Sequence, residues 1–232
     1  MPVGTNGNTT TVTINKDTEN LSAAFAAISY DHIGEYHYTL TENNGGVDGV
    51  AYDWDDSNNK QRTHSIVVTV SKNSNNTLAA SVKYDGQNSL TVKNTFHETS
   101  ASINVTKKFN DWSKTQKGFT FTLTAGTNTA GIATPMPEDA IDGVVSKTAT
   151  ATQHTVDFGS ISYEKTGTYT YTVQETAGDE DGISYDATPY KVEVVVTKAT
   201  DASNKLSAAE VLRRQGINRR PYRDQYVYTS QR

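Results

Sequence analysis

One tyrosine-rich segment constrains this chain more than any other feature. After Gly167, the residues Tyr169, Tyr171, Val173 and Glu175 fall at every second position. Alternate residues of a β-strand share one face. The spacing therefore predicts a strand whose aromatic and β-branched face is buried and ends in a carboxylic acid.

The same design occurs earlier in the chain. The residues Tyr30, Gly34, Tyr36, Tyr38 and Glu42 recur 133 positions later as Tyr163, Gly167, Tyr169, Tyr171 and Glu175. Matches at a single offset indicate an internal repeat. We therefore expect two copies of one β-domain.

Composition agrees with thin-cored β-domains. The 232 residues have 34% apolar content and a mean hydropathy of −0.62, low for a compact enzyme. A net charge of −5 gives no reason to expect a nucleic-acid partner. The absence of cysteine excludes disulfides and thiolate metal sites. No apolar run approaches the roughly 20 residues that cross a bilayer, and the first residues lack the pattern of a signal peptide.

The predicted fold is all-β, with two tandem β-sandwich domains that each lack terminal strands. The first domain is predicted at 1–98 and the second at 101–210. By the repeat, the first lacks counterparts of 103–123, its two opening strands. The second lacks a counterpart of the closing strand at 90–96.

The remaining strands are predicted from alternation and turn residues. They lie at 11–15, 50–54, 66–70, 78–84 and 90–96 in the first copy, and at 103–109, 119–123, 156–161, 183–186 and 192–196 in the second. The pair Asp85-Gly86 predicts a hairpin between 78–84 and 90–96. Pro135 and Pro137 indicate that 130–150 is mostly loop.

The tail at 211–232 changes in character. Residues 1–212 contain one arginine, Arg62, whereas the last 20 residues contain six. Three interpretations remain open: an arginine-rich arm for RNA or membrane, a disordered or weakly helical terminus, or a shifted reading frame. We favour the third, because codons read one nucleotide later can encode a closing strand with an asparagine, similar to 90–96.

A constellation of side chains points to a family. Lys107 stands in an opening strand, Glu42 and Glu175 each end a Gly-x-Tyr-x-Tyr-x-x-x-Glu strand, and Asn94 stands in Val-x-Asn-Thr-Phe. This pattern resembles the pilin isopeptide-linker domains of Gram-positive surface proteins, the FctA-like repeats of streptococcal pilin shafts. The resemblance covers 11–98 and 101–210, and it implies that the two β-sandwich domains are Ig-like and pilin-type. It implies that a lysine amine and an asparagine carboxamide join with loss of ammonia, assisted by the glutamate.

Such chemistry needs apolar surroundings. Burial disfavours the charged forms of an amine and a carboxyl, which leaves a neutral nucleophile and an acid that can donate a proton. Contact between amine and amide supplies a high effective concentration. Taken alone, however, the two glutamates read as ordinary strand-end carboxylates and the lysine as an edge lysine with its head in solvent.

The family's residues are only partly matched. In the second copy Lys107 and Glu175 match, and Lys107 rather than Lys108 shares a face with Val105; the asparagine is absent, with Gln225 near its place. In the first copy Glu42 and Asn94 match, but the lysine strand is absent. Within one chain, the linker before 103 is too short for the crossover that parallel neighbours need.

The resemblance implies a structural stalk segment of a bacterial surface pilin or adhesin, extracellular at the cell wall. Its expected partners are other pilin subunits, surface-protein repeats and the host surface. The alternative is a module that binds host glycan or protein through the 53–59 loop or the tyrosine faces. No nucleophile–base, cofactor or metal-ligand motif appears, so an enzyme is not expected.

Overall fold

The computed structural model describes residues 9–15, 17–21 and 23–213, and these fold almost entirely into β-strands. In this part of the chain, helical structure is limited to two 3₁₀ turns at Glu19–Leu21 and Trp112–Lys114. The predicted all-β fold is confirmed. The same residues include no helix with the length and apolarity to cross a bilayer.

Fourteen strands form the sheets of the described residues. They are β1 (Gly34–Leu40), β2 (Val50–Ala51), β3 (Trp54–Asp55), β4 (Lys60–Gln61), β5 (His64–Lys72), β6 (Leu78–Tyr84), β7 (Thr95–Phe96), β8 (Thr99–Thr106), β9 (Phe119–Asn128), β10 (Val144–Ala149), β11 (Thr155–Tyr163), β12 (Gly167–Glu175), β13 (Tyr190–Lys198) and β14 (Leu206–Arg213). The sheet orders are β1-β5-β6, β10-β9-β12-β13-β14, β11-β8, β2-β7 and β3-β4.

The second copy is a β-sandwich. Its five-stranded sheet and the β11-β8 pair enclose one core, in which most inward side chains are fully buried. The residues that form the centre of this core are Ile103, Phe119, Leu123, Val156, Phe158, Ile161, Tyr163, Tyr169, Tyr171, Val192 and Val194. Each large apolar side chain buried in this way contributes about 1.5–3 kcal/mol. The sandwich prediction is confirmed here.

The strand β12 follows the predicted alternation along its whole length. Its inward residues are buried and its outward threonines are half-exposed. The hydroxyls of Tyr163 and Tyr171 bond each other at 2.9 Å, and Tyr169 Oη donates to the carbonyl of Lys165 at 2.8 Å. Burial raises the pKa of Tyr171 to about 12. The tyrosines thus satisfy their polar ends inside the core.

The first copy repeats this tyrosine arrangement at the equivalent positions. The hydroxyls of Tyr30 and Tyr38 lie 3.1 Å apart, and Tyr36 Oη donates to the carbonyl of His32 at 3.0 Å. The tyrosines here are half-buried rather than buried. The repeat therefore preserves a local set of contacts in both copies.

Contacts divide the chain into two units that differ from the two sequence copies. One unit holds the described residues up to Glu42 together with Thr63–Val92; the other holds Asn43–Arg62 and the residues from Lys93 onward. The predicted boundaries at 98 and 101 stay a prediction.

Within the second unit, a loop of the first copy is bonded to the second copy. Asp48 Oδ2 accepts from the backbone N–H and the hydroxyl of Thr166, at 2.7 and 2.8 Å. The Lys198 amine lies 2.9 Å from Asp48 Oδ1. The backbone N–H of Tyr52 donates to the carbonyl of Ala202 at 2.9 Å.

Some predicted strands are wrong. Residues 11–15 and 183–186 alternate in sequence but form no strand. In the second case the alternation has another cause, since Ile183 and Tyr185 pack against the core from a loop. The predicted strand at 50–54 is split into β2 and β3 at Asp53, whose φ of 41° is left-handed. The stretch at 130–150, predicted to be mostly loop, contains the strand β10. The prolines that indicated a loop lie upstream of this strand.

The predicted hairpin between 78–84 and 90–96 is also wrong. The strand β6 pairs with β5, and the chain after the Asp85-Gly86 turn makes a bridge only between Tyr84 and Gln87. Residues 89–94 then run without strand pairing. A two-residue turn fixes where the chain reverses, but the strand it pairs with is decided by the neighbouring sheet.

Glu210 stands at an inward position of β14. It lies directly opposite Val194, a core residue, so both side chains share the core face. Both carboxylate oxygens are buried and, among the described residues, neither has a hydrogen-bond partner. Burial raises the pKa of Glu210 to about 7. The pKa of Tyr163 is raised as well, first by burial and also by the neighbouring Glu210 charge.

We predict that stability falls between pH 5 and pH 8 because of Glu210. The folded state keeps the proton up to about pH 7, whereas the unfolded carboxyl releases it near its ordinary 4.5. Stability is therefore fully present below pH 4.5 and is lost as the pH rises through 7. Glu210→Gln should raise the urea midpoint at pH 8 and change it little at pH 5. The exposed Glu138→Gln is the matched control, and an unchanged pH dependence in Glu210→Gln would contradict the prediction.

Candidate functional site

Lys107 directly follows the last residue of β8, and its side chain enters the core. The alternation of the strand continues there: Ile103, Val105 and Lys107 are buried, whereas Lys108 is exposed, as the sequence predicts. The backbone N–H of Lys107 donates to the carbonyl of His154 at 2.8 Å, which continues the pairing of β8 with β11 by one residue. The backbone ladder thus fixes the direction of the lysine side chain.

Glu175 meets this lysine from the opposite sheet. It is the last residue of β12, on the face of Tyr169, Tyr171 and Val173. The Lys107 amine donates to Glu175 Oε1 at 2.6 Å and to Oε2 at 2.9 Å. The two side chains are only 5% and 1% exposed. The pair therefore forms a buried, bidentate contact that joins the two sheets.

The surroundings of the pair are apolar on one side and polar on the other. The Lys107 amine lies 4.1 Å from the centre of the Phe119 ring, within cation–π range. Glu175 Oε2 also accepts the backbone N–H of Asp186 at 2.9 Å. Although burial acts to raise the pKa of Asp186, hydrogen bonds from Tyr190 and Thr188 and the charge of Lys107 hold it below its ordinary value.

This geometry suits proton transfer between an amine and a carboxyl. At 2.6 Å, a proton can pass from the lysine ammonium to Glu175, which leaves a neutral amine beside a protonated acid. A neutral amine in a water-poor site is a nucleophile. The protonated acid can in turn donate to a carbonyl that approaches the pair.

The structure places the other predicted site residues elsewhere. Asn94 is exposed and precedes β7, and its Oδ1 accepts the backbone N–H of Asp53 at 3.1 Å. Glu42 is half-buried, two residues beyond the end of β1. Gln225 and the rest of the tail beyond residue 213 lie outside the described residues. Of the four predicted side chains, the structure thus brings Lys107 and Glu175 together.

Sequence reasoning missed the part played by Asp186. Tyr185 and Asp186 match Tyr52 and Asp53 at the repeat offset, which was the available signal. In the second copy the backbone N–H of Asp186 binds Glu175, whereas in the first copy the equivalent N–H of Asp53 binds Asn94. One repeat position therefore contacts a glutamate in one copy and an asparagine in the other.

In the acidic loop that follows β3, carboxylates bond to neighbouring groups of the same chain. Asp55 Oδ1 accepts the backbone N–H of Ser57, and Oδ2 accepts from the Asn58 amide. The buried Asp53 lies 3.7 Å from the guanidinium of Arg62. In the residues that the structure describes, no group of three or more acidic, histidine or cysteine side chains is arranged to hold a metal ion.

We predict that removing either partner of the buried pair is strongly destabilising. Lys107→Ala or Glu175→Ala leaves one buried charge uncompensated, at a cost of about 3–5 kcal/mol in the free energy of unfolding. The apolar double variant Lys107→Met with Glu175→Leu should recover most of this loss. Urea denaturation measures it, and Lys117→Ala, at an exposed pair with Asp179, is the control with little expected change. Equal losses in the single and double variants would contradict this account.

Of three comparisons with known proteins, one identified a family. No curated protein and no solved structure matched the chain. The family model FctA, described as a Spy0128-like isopeptide containing domain, matches residues 2–97 and 103–227. These two matches correspond to the two copies of the repeat. The chain therefore belongs to the FctA family of pilin-type, isopeptide-containing domains, of which it carries two tandem copies.

Proposed function

We propose that this chain is a load-bearing segment of a bacterial surface pilus or adhesin stalk. The family resemblance implies a covalent bond between Lys107 of the second copy and an asparagine on a closing strand, an asparagine that the sequence of this copy lacks at the matching place. The observation that carries the proposal is the buried contact between Lys107 and Glu175, at 2.6 and 2.9 Å. A buried amine–carboxylate pair without a bound substrate costs stability relative to apolar packing, so its presence calls for a chemical role.

The repeat indicates where the asparagine carboxamide belongs. Asn94 in the first copy is held at the N–H of Asp53, and its equivalent in the second copy, the N–H of Asp186, adjoins Glu175. If a closing strand occupied the second copy as 90–96 follows the first, its asparagine would reach the Lys107–Glu175 pair. The two copies together thus contain all three kinds of reacting group: an amine, a carboxyl and a carboxamide.

The reaction is then balanced without any cofactor. After a proton passes from the lysine ammonium to Glu175, the neutral amine attacks the carboxamide carbon and Glu175 donates a proton to its oxygen. Glu175 next takes a proton from the new C–N nitrogen and passes it to the leaving amide nitrogen. Ammonia departs, the carbonyl re-forms, and its proton returns to Glu175. One amide replaces another, so no oxidant or reductant takes part.

A bond at this place supports a mechanical role. It ties the opening strand β8 to the closing strand, so that tension on the chain termini passes through a covalent link. The chain has no cysteine, and an amide is unaffected by the thiols that reduce disulfides. The bonds from Asp48 to Thr166 and Lys198 further tie the loop of the first copy to the second.

The place and partners of the protein follow from the family. FctA domains imply a cell-surface location, and we propose attachment at a Gram-positive cell wall with other pilin subunits or surface-protein repeats as neighbours. A host-binding role for the tyrosine faces receives less support. Tyr169 and Tyr171 are fully buried, so their face is already used by the core. The protein is proposed to be structural rather than an enzyme that turns over a substrate.

The decisive experiment supplies the closing strand in the same chain. Residues 211–232 are replaced by a copy of residues 82–98, which carries the sequence of the Asn94 strand. We expect the intact mass to be about 17 Da below the sequence mass, because one ammonia leaves when the contact supplies the effective concentration. Fragmentation should locate the bond between Lys107 and the copied asparagine.

Two matched variants of this chimera serve as controls. The copied asparagine changed to alanine should give the full sequence mass, and Glu175→Gln should slow the mass loss strongly, because the proton-transferring acid is gone. A folded chimera that keeps its full mass would overturn the proposed chemistry.

A further inference from the structure

A loop of the first copy, residues 43–56, docks on the turn that joins β13 to β14 in the second copy. The backbone N–H of Gly49 donates to the carbonyl of Asn204 at 3.1 Å, and that of Tyr52 donates to the carbonyl of Ala202 at 2.9 Å. Because these donors and acceptors are backbone groups, this part of the contact depends on the form of the loop and of the turn.

Asp48 adds charge to this docking contact. Its Oδ2 accepts the backbone N–H of Thr166 at 2.7 Å, and its Oδ1 lies 2.9 Å from the Lys198 amine. Thr166 directly precedes β12, and Lys198 is the last residue of β13. The edge that receives the loop therefore consists of an N–H, an amine and a turn with free carbonyls.

The second copy contains the same loop at residues 176–189. The backbone N–H groups of Val50 and Ile183 each donate to the carbonyl three residues before, at 3.2 and 3.3 Å. The glycine before each donor is left-handed, with a φ of 72° at Gly49 and 77° at Gly182. The two loops thus share their backbone form, which is the property that docking uses.

Asp181 stands in the second loop where Asp48 stands in the first, since 181 − 48 = 133, the offset of the repeat. Asp181 is exposed, whereas Asp48 is half-buried in its contact. A strand alongside such a loop does not prevent docking, because β7 pairs with β2 at Val50 while the first loop is docked. The capacity of the second loop to dock is therefore independent of what lies along 183–184.

The first copy also contains an equivalent of the receiving edge. Lys72 ends β5 as Lys198 ends β13, and each lies opposite the leucine that begins the next strand. Ile33 directly precedes β1, as Thr166 precedes β12. The start of β1 lies beside the end of β5, since these strands are antiparallel. The N–H of Ile33 and the amine of Lys72 therefore belong to one edge.

The turn of this edge has the same form in both copies. The N–H of Asn76 donates to the carbonyl of Asn73 at 3.0 Å, and the N–H of Asn204 donates to the carbonyl of Asp201 at 3.2 Å. Both donors are left-handed, with φ values of 62° and 44°. The connection between the strands is shorter in the first copy, 73–77 against 199–205.

The two edges differ in what covers them. In the second copy Ala202, Ser203 and Asn204 are only 7%, 2% and 2% exposed. In the first copy all residues of 72–77 are exposed, and Ile33 is 63% exposed. In the described part of the chain, the hydrogen bonds of the 73–77 turn run within the turn itself. One loop and one edge are thus engaged with each other, and one loop and one edge remain exposed.

We propose that the 176–189 loop of one molecule docks on Ile33, Lys72 and the 73–77 turn of a second copy of the chain. Asp181 then lies between the Lys72 amine and the N–H of Ile33. This deepens the proposed function by naming the surfaces through which neighbouring subunits meet, and it rests on that function for the identity of the partner. The negative loop and the positive edge are complementary in charge.

The backbone contacts between the two molecules follow those within one. The N–H groups of Gly182 and Tyr185 donate to the carbonyls of Asn76 and Ser74, at the positions equivalent to the internal donors and acceptors. The contact is weaker than the internal one, because the internal loop is tethered to its edge. Since loop and edge are different surfaces, the association is head-to-tail and extends unless a ring closes.

Sedimentation velocity at rising protein concentration tests the inference. We expect reversible association that weakens as salt screens the ion pair. Lys72→Glu or Asp181→Lys should each lower the association constant about tenfold or more, because like charges then face each other. The double variant exchanges the two charges and should restore association.

Matched controls carry the same changes in charge outside both surfaces. Lys93→Glu and Glu138→Lys alter exposed residues and should associate as the unchanged protein does. The inference is overturned if the unchanged protein does not associate, if the single variants associate as well as it does, or if the double variant fails to recover.

A zero-length cross-link locates the contact. A carbodiimide condenses a carboxylate and an amine that touch into an amide, and the reagent takes up the water. In a mixture of isotope-labelled and unlabelled chains, Asp181 should be joined to Lys72 of a differently labelled chain. Asp48 and Lys198 should be joined within one chain. Lys72 joined to other carboxylates, or to none, would overturn the inference.

The outcomes separate this inference from the proposed function. If the chimera with a copied closing strand loses ammonia but the unchanged protein does not associate, docking is overturned and the proposed chemistry stands. If association follows the exchanged charges but the chimera keeps its full mass, docking stands and the proposed chemistry is overturned.

Discussion

The contact between Lys107 and Glu175 is the constraint on which the second copy depends. Two ionisable side chains with almost no solvent exposure meet at 2.6 Å between two sheets. Neither is tolerable there alone, so both strands must keep their register for the pair to form. A change of one residue in the pairing of β8 or β12 would turn one of the two outward. The pair thus links the chemistry of the site to the registration of the whole sandwich.

The tyrosines supply the surroundings that make such a pair chemically useful. Their rings fill the core, and their hydroxyls bond each other or backbone carbonyls, so that polar atoms are carried inside without being left unpaired. Water is thereby kept from the face that ends at Glu175. The same hydroxyl pair persists in the first copy, between Tyr30 and Tyr38, although that copy is thinner.

The two copies complement each other in what they retain. The first holds an exposed Asn94 at the N–H of Asp53, and the second holds a lysine and a glutamate at the equivalent N–H of Asp186.

The sequence alone determined the repeat, the all-β class, the bounds of β12 and the inward direction of Lys107, since period-two alternation specifies which face a side chain takes. It did not reveal the partner of β6, the loop position of Tyr185, or the contact of Asp186 with Glu175. These depend on which backbone edges and N–H groups approach from distant parts of the chain. A local pattern fixes the face of a strand, whereas only the tertiary structure decides its neighbours, because hydrogen bonds between strands join residues that are remote in sequence.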